Sequence, residues 1–314
     1  MNIILATDDN FVQHCCVAMT SVLLNDTDVQ FYIFTEGLTQ YNVELLTNQV
    51  VSYGGKIHIC IVDSKIVSKF PMPTYADAHI SIATYYRLFA AEILPQDIDK
   101  VIYMDCDMVA RKSFAELWNT DIEGYALAAV YQNMGESQSR DKRRLLMPDN
   151  VGYFNAGLLL INLDYWRKYD VTENLFNFIR EHYNLIKQHD QDVLNAVLYE
   201  KVKPISFTWN YLPLFFDIKR YKFQPFLNYD EPINNPANIH FVSAPKPWDI
   251  GCENPFRNEY YRVLGLTPFR GFKPKFVWKK YYNDVLRNKL LRNISRLDVL
   301  NLRKILKLRN LVTK

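Results

Sequence analysis

The chain predicts an α/β protein with a mostly parallel central sheet and a basic helical C-terminal tail, and three observations carry that prediction. Short apolar runs alternate with helix-length segments through residues 3–62, the pattern of strands joined by crossover helices. An acidic motif, Asp105-Cys106-Asp107, directly follows the apolar run Val101-Ile102-Tyr103-Met104, where a strand of such a sheet would end. Composition then changes at residue 272: residues 272–314 hold thirteen Lys or Arg against two acids, a net +11, so residues 1–271 carry −8 of the chain's overall +3. With 314 residues and 49% hydrophobic content the chain can bury one large core, which divides it into a body, 1–271, and a tail, 272–314.

Residues 3–6 are the first expected strand, apolar on both faces as a buried parallel strand requires. Residues 11–24 follow as a helix carrying the adjacent pair Cys15-Cys16. Residues 30–34 are a second strand and 41–53 a second helix, which Gly54-Gly55 stops ahead of a third strand at 57–62. A helix is expected from residue 79 through Leu88 toward Leu94-Pro95, then strands at 101–104, 125–130 and 158–161, the last led by Tyr153-Phe154-Asn155-Ala156-Gly157. Helices are expected at 176–186 and 193–198, and Asn238-Ile239-His240-Phe241 is a short apolar stretch. The five cysteines show neither a disulfide framework nor zinc-ligand spacing and read as reduced and structural. Residues 1–6 lack a basic flank and run into Asp8-Asp9 too early for a signal-peptide core. No apolar run reaches the roughly 18–20 residues that span a bilayer, so a cytoplasmic location is expected.

Ligands of open α/β sheets bind beyond the carboxyl ends of the strands. Asp8-Asp9-Asn10 and Asp105-Cys106-Asp107 both lie at such ends and are expected to be neighbours. Residues two apart on an extended strand share a side, so Asp105 and Asp107 would face one divalent cation; a helix cap or a solvated turn is the competing reading. His240 completes an Asp, Asp, His set suited to Mn2+, against the commoner role of a satisfied core histidine. Arg87 falls where a cation reaches phosphate, or is a surface arginine on a helix. In Asp190-Gln191-Asp192, Asp190 reads equally as a helix N-cap, with Asp192 favouring the dipole.

In the tail, Leu290, Ile294, Leu297, Ile305 and Leu308 fall on one side of a helical wheel and Lys289, Arg292, Arg296, Arg303 and Lys307 on another. Ser295 to Asp298 starts a second short helix. With Phe276, Trp278, Tyr281 and Tyr282 at its entrance, this tail suits attachment to the inner face of the cytoplasmic membrane or to a protein partner. The alternative packs it back on the acidic body. Opposite charge on body and tail argues against a nucleic-acid partner.

The order Ala6-Thr7-Asp8-Asp9-Asn10, His79-Ile80-Ser81, Tyr85 to Leu88, Asp105-Cys106-Asp107, Tyr153 to Gly157, Asp190-Gln191-Asp192, His240 and Lys246-Pro247-Trp248 closely resembles bacterial family 8 glycosyltransferases. It is similar to the lipooligosaccharide galactosyltransferases and lipopolysaccharide hexosyltransferases of that family, over roughly residues 1–250. The resemblance implies a GT-A-type nucleotide-diphospho-sugar fold, Mn2+ dependence with Mg2+ as a substitute, a UDP-hexose donor, a glycan acceptor and transfer with retention. It makes Asp105, Asp107 and His240 metal ligands and places Thr7, Asp8, Asn10, Arg87, Asp105, Cys106 and Lys246 on the nucleotide. Arg87, Asn155, Gly157, Asp190 and Gln191 would line the donor sugar, with Gln191 and Asp190 nearest the chemistry. His79, Thr84 and Gln132 would lie toward the acceptor. Two departures concern the sugars: Gln132 stands where the galactosyltransferases carry Asp, and Phe241-Val242-Ser243-Ala244 replaces a Cys-Gly-Pro run.

Two other classes fit part of the sequence. Asp105-Cys106-Asp107-Met108-Val109 also suits the nucleophile loop of haloacid-dehalogenase-type phosphotransferases, though these usually carry it on an early strand. A non-catalytic sugar-nucleotide-binding protein would keep the same fold.

Overall fold

The computed structural model describes residues 1–63, 82–132, 136–212, 235–276, 278–282 and 286. Strand β1 (Asn2–Ala6), helix α1 (Val12–Leu23), strand β2 (Gln30–Thr35), helix α2 (Gln40–Ser52) and strand β3 (Lys56–Ile61) make two successive parallel crossovers, with Ile3 beside Phe31 and Ile33 beside Ile59. The Gly54-Gly55 stop forms a Schellman-type end: Gly54 takes φ +80°, its N–H reaches Val51 O, and Gly55 N–H reaches Val50 O. A Cβ on Gly55 would sit 2.9 Å from Leu23 and Val50, so the close packing of α1, α2 and β3 also requires it.

Residues 82–89 depart from the expected α-helix. Ile82–Phe89 is a 3-10 helix, followed by the short α3 (Ala90–Ile93). In 3-10 geometry residues three apart eclipse, which stacks Thr84 and Arg87 on one side; Arg87 Nε donates back to Thr84 O (3.0 Å). Next come β4 (Lys100–Met104), β5 (Met108–Ala110), α4 (Ala115–Trp118), β6 (Leu127–Tyr131), α5 (Glu136–Arg144), β7 (Phe154–Asn162) and α6 (Leu163–Lys168). They are followed by α7 (Val171–His182), α8 (His189–Leu198), β8 (Val202–Pro204), β9 (Asn238–His240), α9 (Arg257–Leu264) and α10 (Trp278–Tyr281).

The seven-stranded sheet runs β3-β2-β1-β4-β7-β6-β8, and β5 pairs with β9 in a separate two-stranded sheet. Within the seven-stranded sheet pairing is parallel except at β7, which runs antiparallel to both β4 and β6, and β5 and β9 are antiparallel to one another. Side chains alternate between two cores: Ile4 and Tyr103 enter one, Ile3, Leu5, Ile102 and Met104 the other. Helix α1 is buried nearly all round because it lies between the sheet and α9, whose Tyr260, Val263 and Leu264 pack with Val17. All five cysteines are free thiols.

Two expected helices begin earlier than the sequence suggested. Helix α7 starts at Val171 and gives way after His182 to a 3-10 turn, Tyr183–Leu185. Helix α8 starts at His189, so Asp190 lies inside its first turn and is not its N-cap. Among the described residues no helix is long and apolar enough to cross a membrane. The expected helices beyond residue 282 lie outside the described residues apart from Leu286, as does His79. At the entrance to the tail, Phe276, Trp278 and Tyr282 are exposed.

Candidate active site

Because β1 and β4 are parallel neighbours, their carboxyl ends place residues 6–8 beside residues 105–107, and Cys106 Sγ donates to Ala6 O at 3.2 Å. Residues 105–107 do not continue β4. They form the turn into β5, so it is not strand alternation that brings the two carboxylates together. The turn is pinned by backbone bonds: Asp105 N–H donates to Gly157 O (2.8 Å) and Phe241 N–H to Asp107 O (2.9 Å). Pairing of Met108 with His240 across β5 and β9 then brings the imidazole in. His240 Nε2 lies 3.1 Å from Asp107 Oδ1 and 3.7 Å from Asp105 Oδ2, and one ligating atom from each residue falls within 4.8 Å of the others.

These residues fit a divalent cation on three counts. Two carboxylates and an imidazole are the donor types that suit Mn2+. Asp107 Oδ1 is buried and accepts no hydrogen bond. Gly157 leaves room: a Cβ there would lie 2.7 Å from His240 Nδ1 and 2.9 Å from Asp105 Oδ2. Gly157, expected at the donor sugar, therefore borders the ligands themselves. Burial raises the Asp107 pKa, but the Lys246 ammonium at 2.5 Å opposes it and this carboxyl stays well below the usual range. Lys246 Nζ also donates to Phe241 O at 2.7 Å.

Arg87 is buried beneath this cluster, not on a helix surface. Its guanidinium meets Asp105 Oδ1 (3.0 Å), Asp190 Oδ2 (2.8 Å) and Ala156 O, and it lies over the Tyr103 ring. Burial opposes its charge, yet the two carboxylates hold its pKa above the ordinary arginine value. Asp190 behaves differently: burial raises its pKa to about 6 in spite of Arg87 and of the Thr84 hydroxyl that donates to it at 2.6 Å. One guanidinium is shared by two acids and the Asp190 side chain is only 4% exposed, so Asp190 keeps most of its desolvation cost. Removing Arg87 would leave that acid uncompensated, at about 3–5 kcal/mol.

Gln191 and Asn155 face one another. Gln191 Oε1 accepts from Asn155 Nδ2 (3.0 Å) and from Ala156 N–H (3.1 Å), while its Nε2 donates to Tyr153 Oη (3.2 Å) and Gln188 Oε1 (2.9 Å). On the expected nucleotide side, Thr7 is buried, Asn10 is exposed, and Asp8 Oδ1 accepts from the Asn10 and Phe11 N–H groups, closing the loop ahead of α1. Gln132 is buried, its N–H on Tyr153 O, and directly precedes residues outside the description. Two members of the site carried no sequence signal. Tyr103 Oη donates to Asp105 Oδ1 (2.8 Å), and Asn210, at the end of the 3-10 turn Phe207–Asn210, contacts both Asn155 and His240.

The family model "Glycosyl transferase family 8" matches residues 2–251, which spans every site element described above except α9 and the tail. The chain belongs to this family. Among its relatives, General stress protein A of Bacillus subtilis is 30% identical over 85% of this chain and 94% of its own length. The lipopolysaccharide 1,3-galactosyltransferase of Salmonella typhimurium is 28% identical over 85% of this chain and 79% of its own. Among solved structures, that of galactosyltransferase LgtC with donor and acceptor sugar analogues superposes with a TM-score of 0.75, at 28% identity, over 91% of this chain and 100% of that one. The fold of this family 8 glycosyltransferase is accordingly of the GT-A type, with β7 as its antiparallel member.

Proposed function

We propose that this glycosyltransferase moves a hexose, galactose before glucose, from UDP to a glycan acceptor of the cell envelope or of a glycoprotein, with Mn2+ and with retention of anomeric configuration. The observation that carries the reading is the convergence of Asp105, Asp107 and His240, with Lys246 alongside, at the carboxyl edge of β1 and β4. Galactose is favoured because the Salmonella relative and LgtC are galactosyltransferases. Family membership sets the haloacid-dehalogenase-type reading aside, and an intact ligand set argues against a protein that only binds.

Asp105, Asp107 and His240 would hold the metal, which when bound supplies positive charge to the departing β-phosphate. The Lys246 ammonium, free to exchange Asp107 for a phosphate oxygen, would meet the same diphosphate. Thr7, Asp8, Asn10 and Cys106 border the uridine side. Arg87 serves the donor by holding Asp105 and Asp190 in place. Retention requires a nucleophile on the protein or attack from the leaving-group face. The residue at the expected anomeric position is the amide Gln191, which is no carboxylate, so front-face transfer is the mechanism, with Gln191 fixing the sugar and Asp190 taking a hydroxyl. Thr84 and Gln132 would lie toward the acceptor. The body, 1–271, carries the chemistry, and the tail attaches it to the inner face of the cytoplasmic membrane or to a protein partner.

The test incubates the full chain and Mn2+ with UDP-galactose, UDP-glucose and UDP-N-acetylhexosamines, beside a phosphomonoester and a calorimetric UDP titration. Metal-dependent release of UDP from a UDP-hexose is expected. Phosphomonoester hydrolysis without sugar-nucleotide turnover, or UDP binding without turnover, would overturn the reading.

A further inference from the structure

Within this site one buried side chain joins the candidate metal ligand to the candidate catalytic amide. We propose that Asn210 is a positioning residue: it decides which nitrogen of His240 carries a proton, and it ties that ligand to Gln191. The inference rests on the reading of His240 as a metal ligand.

The polarity of the connection follows from two backbone donors, whose direction cannot be inverted. Gly157 N–H can only donate, and it reaches the Asn155 side chain at 3.0 Å, so the atom it meets is the carbonyl oxygen Oδ1. That oxygen also lies 2.8 Å from Asn210, which must therefore offer its Nδ2 and turn its own oxygen the other way. Asn210 Oδ1 faces His240 Nδ1 at 2.9 Å, and an amide oxygen only accepts. His240 Nδ1 is thus the protonated nitrogen, and Nε2 keeps its lone pair toward Asp105 and Asp107, as a metal ligand needs.

The second backbone donor, Ala156 N–H, meets Gln191 at 3.1 Å and fixes its oxygen in the same way. Asn155 Nδ2 donates to that oxygen, and Gln191 Nε2 turns to Tyr153 Oη, which donates to the fully buried Asp192 at 2.7 Å. Arg144 and the N–H groups of Lys187 and Gln188 hold Asp192 in turn. One run of hydrogen bonds therefore extends from the imidazole to α8: Asn155 and Gln191 cannot flip without leaving a backbone N–H unpaired, and Asn210 cannot flip without setting two amide oxygens against each other. Asn210 is wholly buried and is the link between its two halves.

Two substitutions separate the halves. Asn210→Leu removes the acceptor for His240 Nδ1; Asn210→Asp keeps that acceptor but offers no donor to Asn155. The first readout is the ring-nitrogen NMR spectrum of the metal-free, histidine-labelled protein, which distinguishes the two neutral tautomers. The chain has six histidines, and His240→Asn assigns the signal. The second is calorimetric titration with Mn2+, the third kcat and KM for UDP-galactose. Wild type is expected to show the Nδ1–H tautomer. Asn210→Leu is expected to lose it and to bind Mn2+ about 10–100-fold more weakly. Asn210→Asp is expected to retain tautomer and Mn2+ affinity while kcat falls at least about tenfold with KM little changed, and it carries the test if the leucine variant does not fold. An Nε2–H tautomer in wild type, or an unchanged kcat in Asn210→Asp, overturns the proposal. Should no sugar nucleotide be turned over, the tautomer and the Mn2+ titration still decide the role of Asn210, and only the functional reading fails.

Discussion

Replacing Gly157 with alanine adds one methyl group at the point where the structure has least room for it. The new Cβ would lie 2.7 Å from His240 Nδ1 and 2.9 Å from Asp105 Oδ2, with His240 Cε1 closer still. Gly157 is not in the left-handed region, so the backbone tolerates alanine and the whole effect falls on these two ligands. The imidazole cannot retreat without breaking its 2.9 Å bond to Asn210, and Asp105 is held by Arg87 and Tyr103. Overpacking of this kind costs about 1–3 kcal/mol of folding stability. Displacing two ligands costs metal affinity at least as much as loss of an outer partner does, about 10–100-fold or more. Calorimetric Mn2+ titration of Gly157→Ala, with thermal unfolding of the metal-free protein alongside, measures both. Mn2+ affinity equal to that of wild type in a folded variant would refute the assignment of His240 and Asp105 to one cation.

Asp105→Asn and Asp107→Asn are each expected to abolish transfer, by about 100-fold or more, while far-ultraviolet circular dichroism stays native; near-normal turnover in either would sink the metal assignment. Asp190 should mark the pH dependence of stability. Its carboxyl holds a proton up to about pH 6 in the fold against 3.8 for the unperturbed group, so it contributes stability below about pH 4 that is lost as pH rises through 6, on the order of 3 kcal/mol. Asp190→Asn lacks that contribution, so urea denaturation should find the variant gaining on wild type by this amount between about pH 4 and 7.5; a difference independent of pH would contradict the cause assigned here. Deleting residues 272–314 should weaken sedimentation with anionic phosphatidylglycerol vesicles and spare donor hydrolysis, whereas loss of soluble folding would make the tail part of the core.

The crossover units were legible because β1 and β2 are apolar on both faces and α2 ends at the Gly54-Gly55 stop. Strand direction was not. The run Leu158 to Ile161 is as apolar as a parallel strand, and only its pairing with β4 and β6 shows that it runs the other way. Asp105, Asp107 and His240 could be grouped from residue type and order, but the reason first given for their meeting, alternation along a strand, gives way to a turn and a two-stranded sheet. Arg87 could be singled out as a cation near the site; that it is buried between two acids depends on residues 18 and 103 positions away, which no local pattern encodes. Asn210 was silent for a related reason. A lone asparagine after Trp209 has no periodicity to announce it, and its meaning lies wholly in the two side chains it touches.

The most direct test of the central claim follows UDP-galactose by proton NMR, with metal present and after chelation, in wild type and in Asp105→Asn. A retaining, metal-dependent transferase predicts that the first hexose product carries the α-configuration of the donor, and that it stops forming on chelation and never forms with the variant. First-formed β-product, or turnover indifferent to metal and to Asp105, would contradict the account.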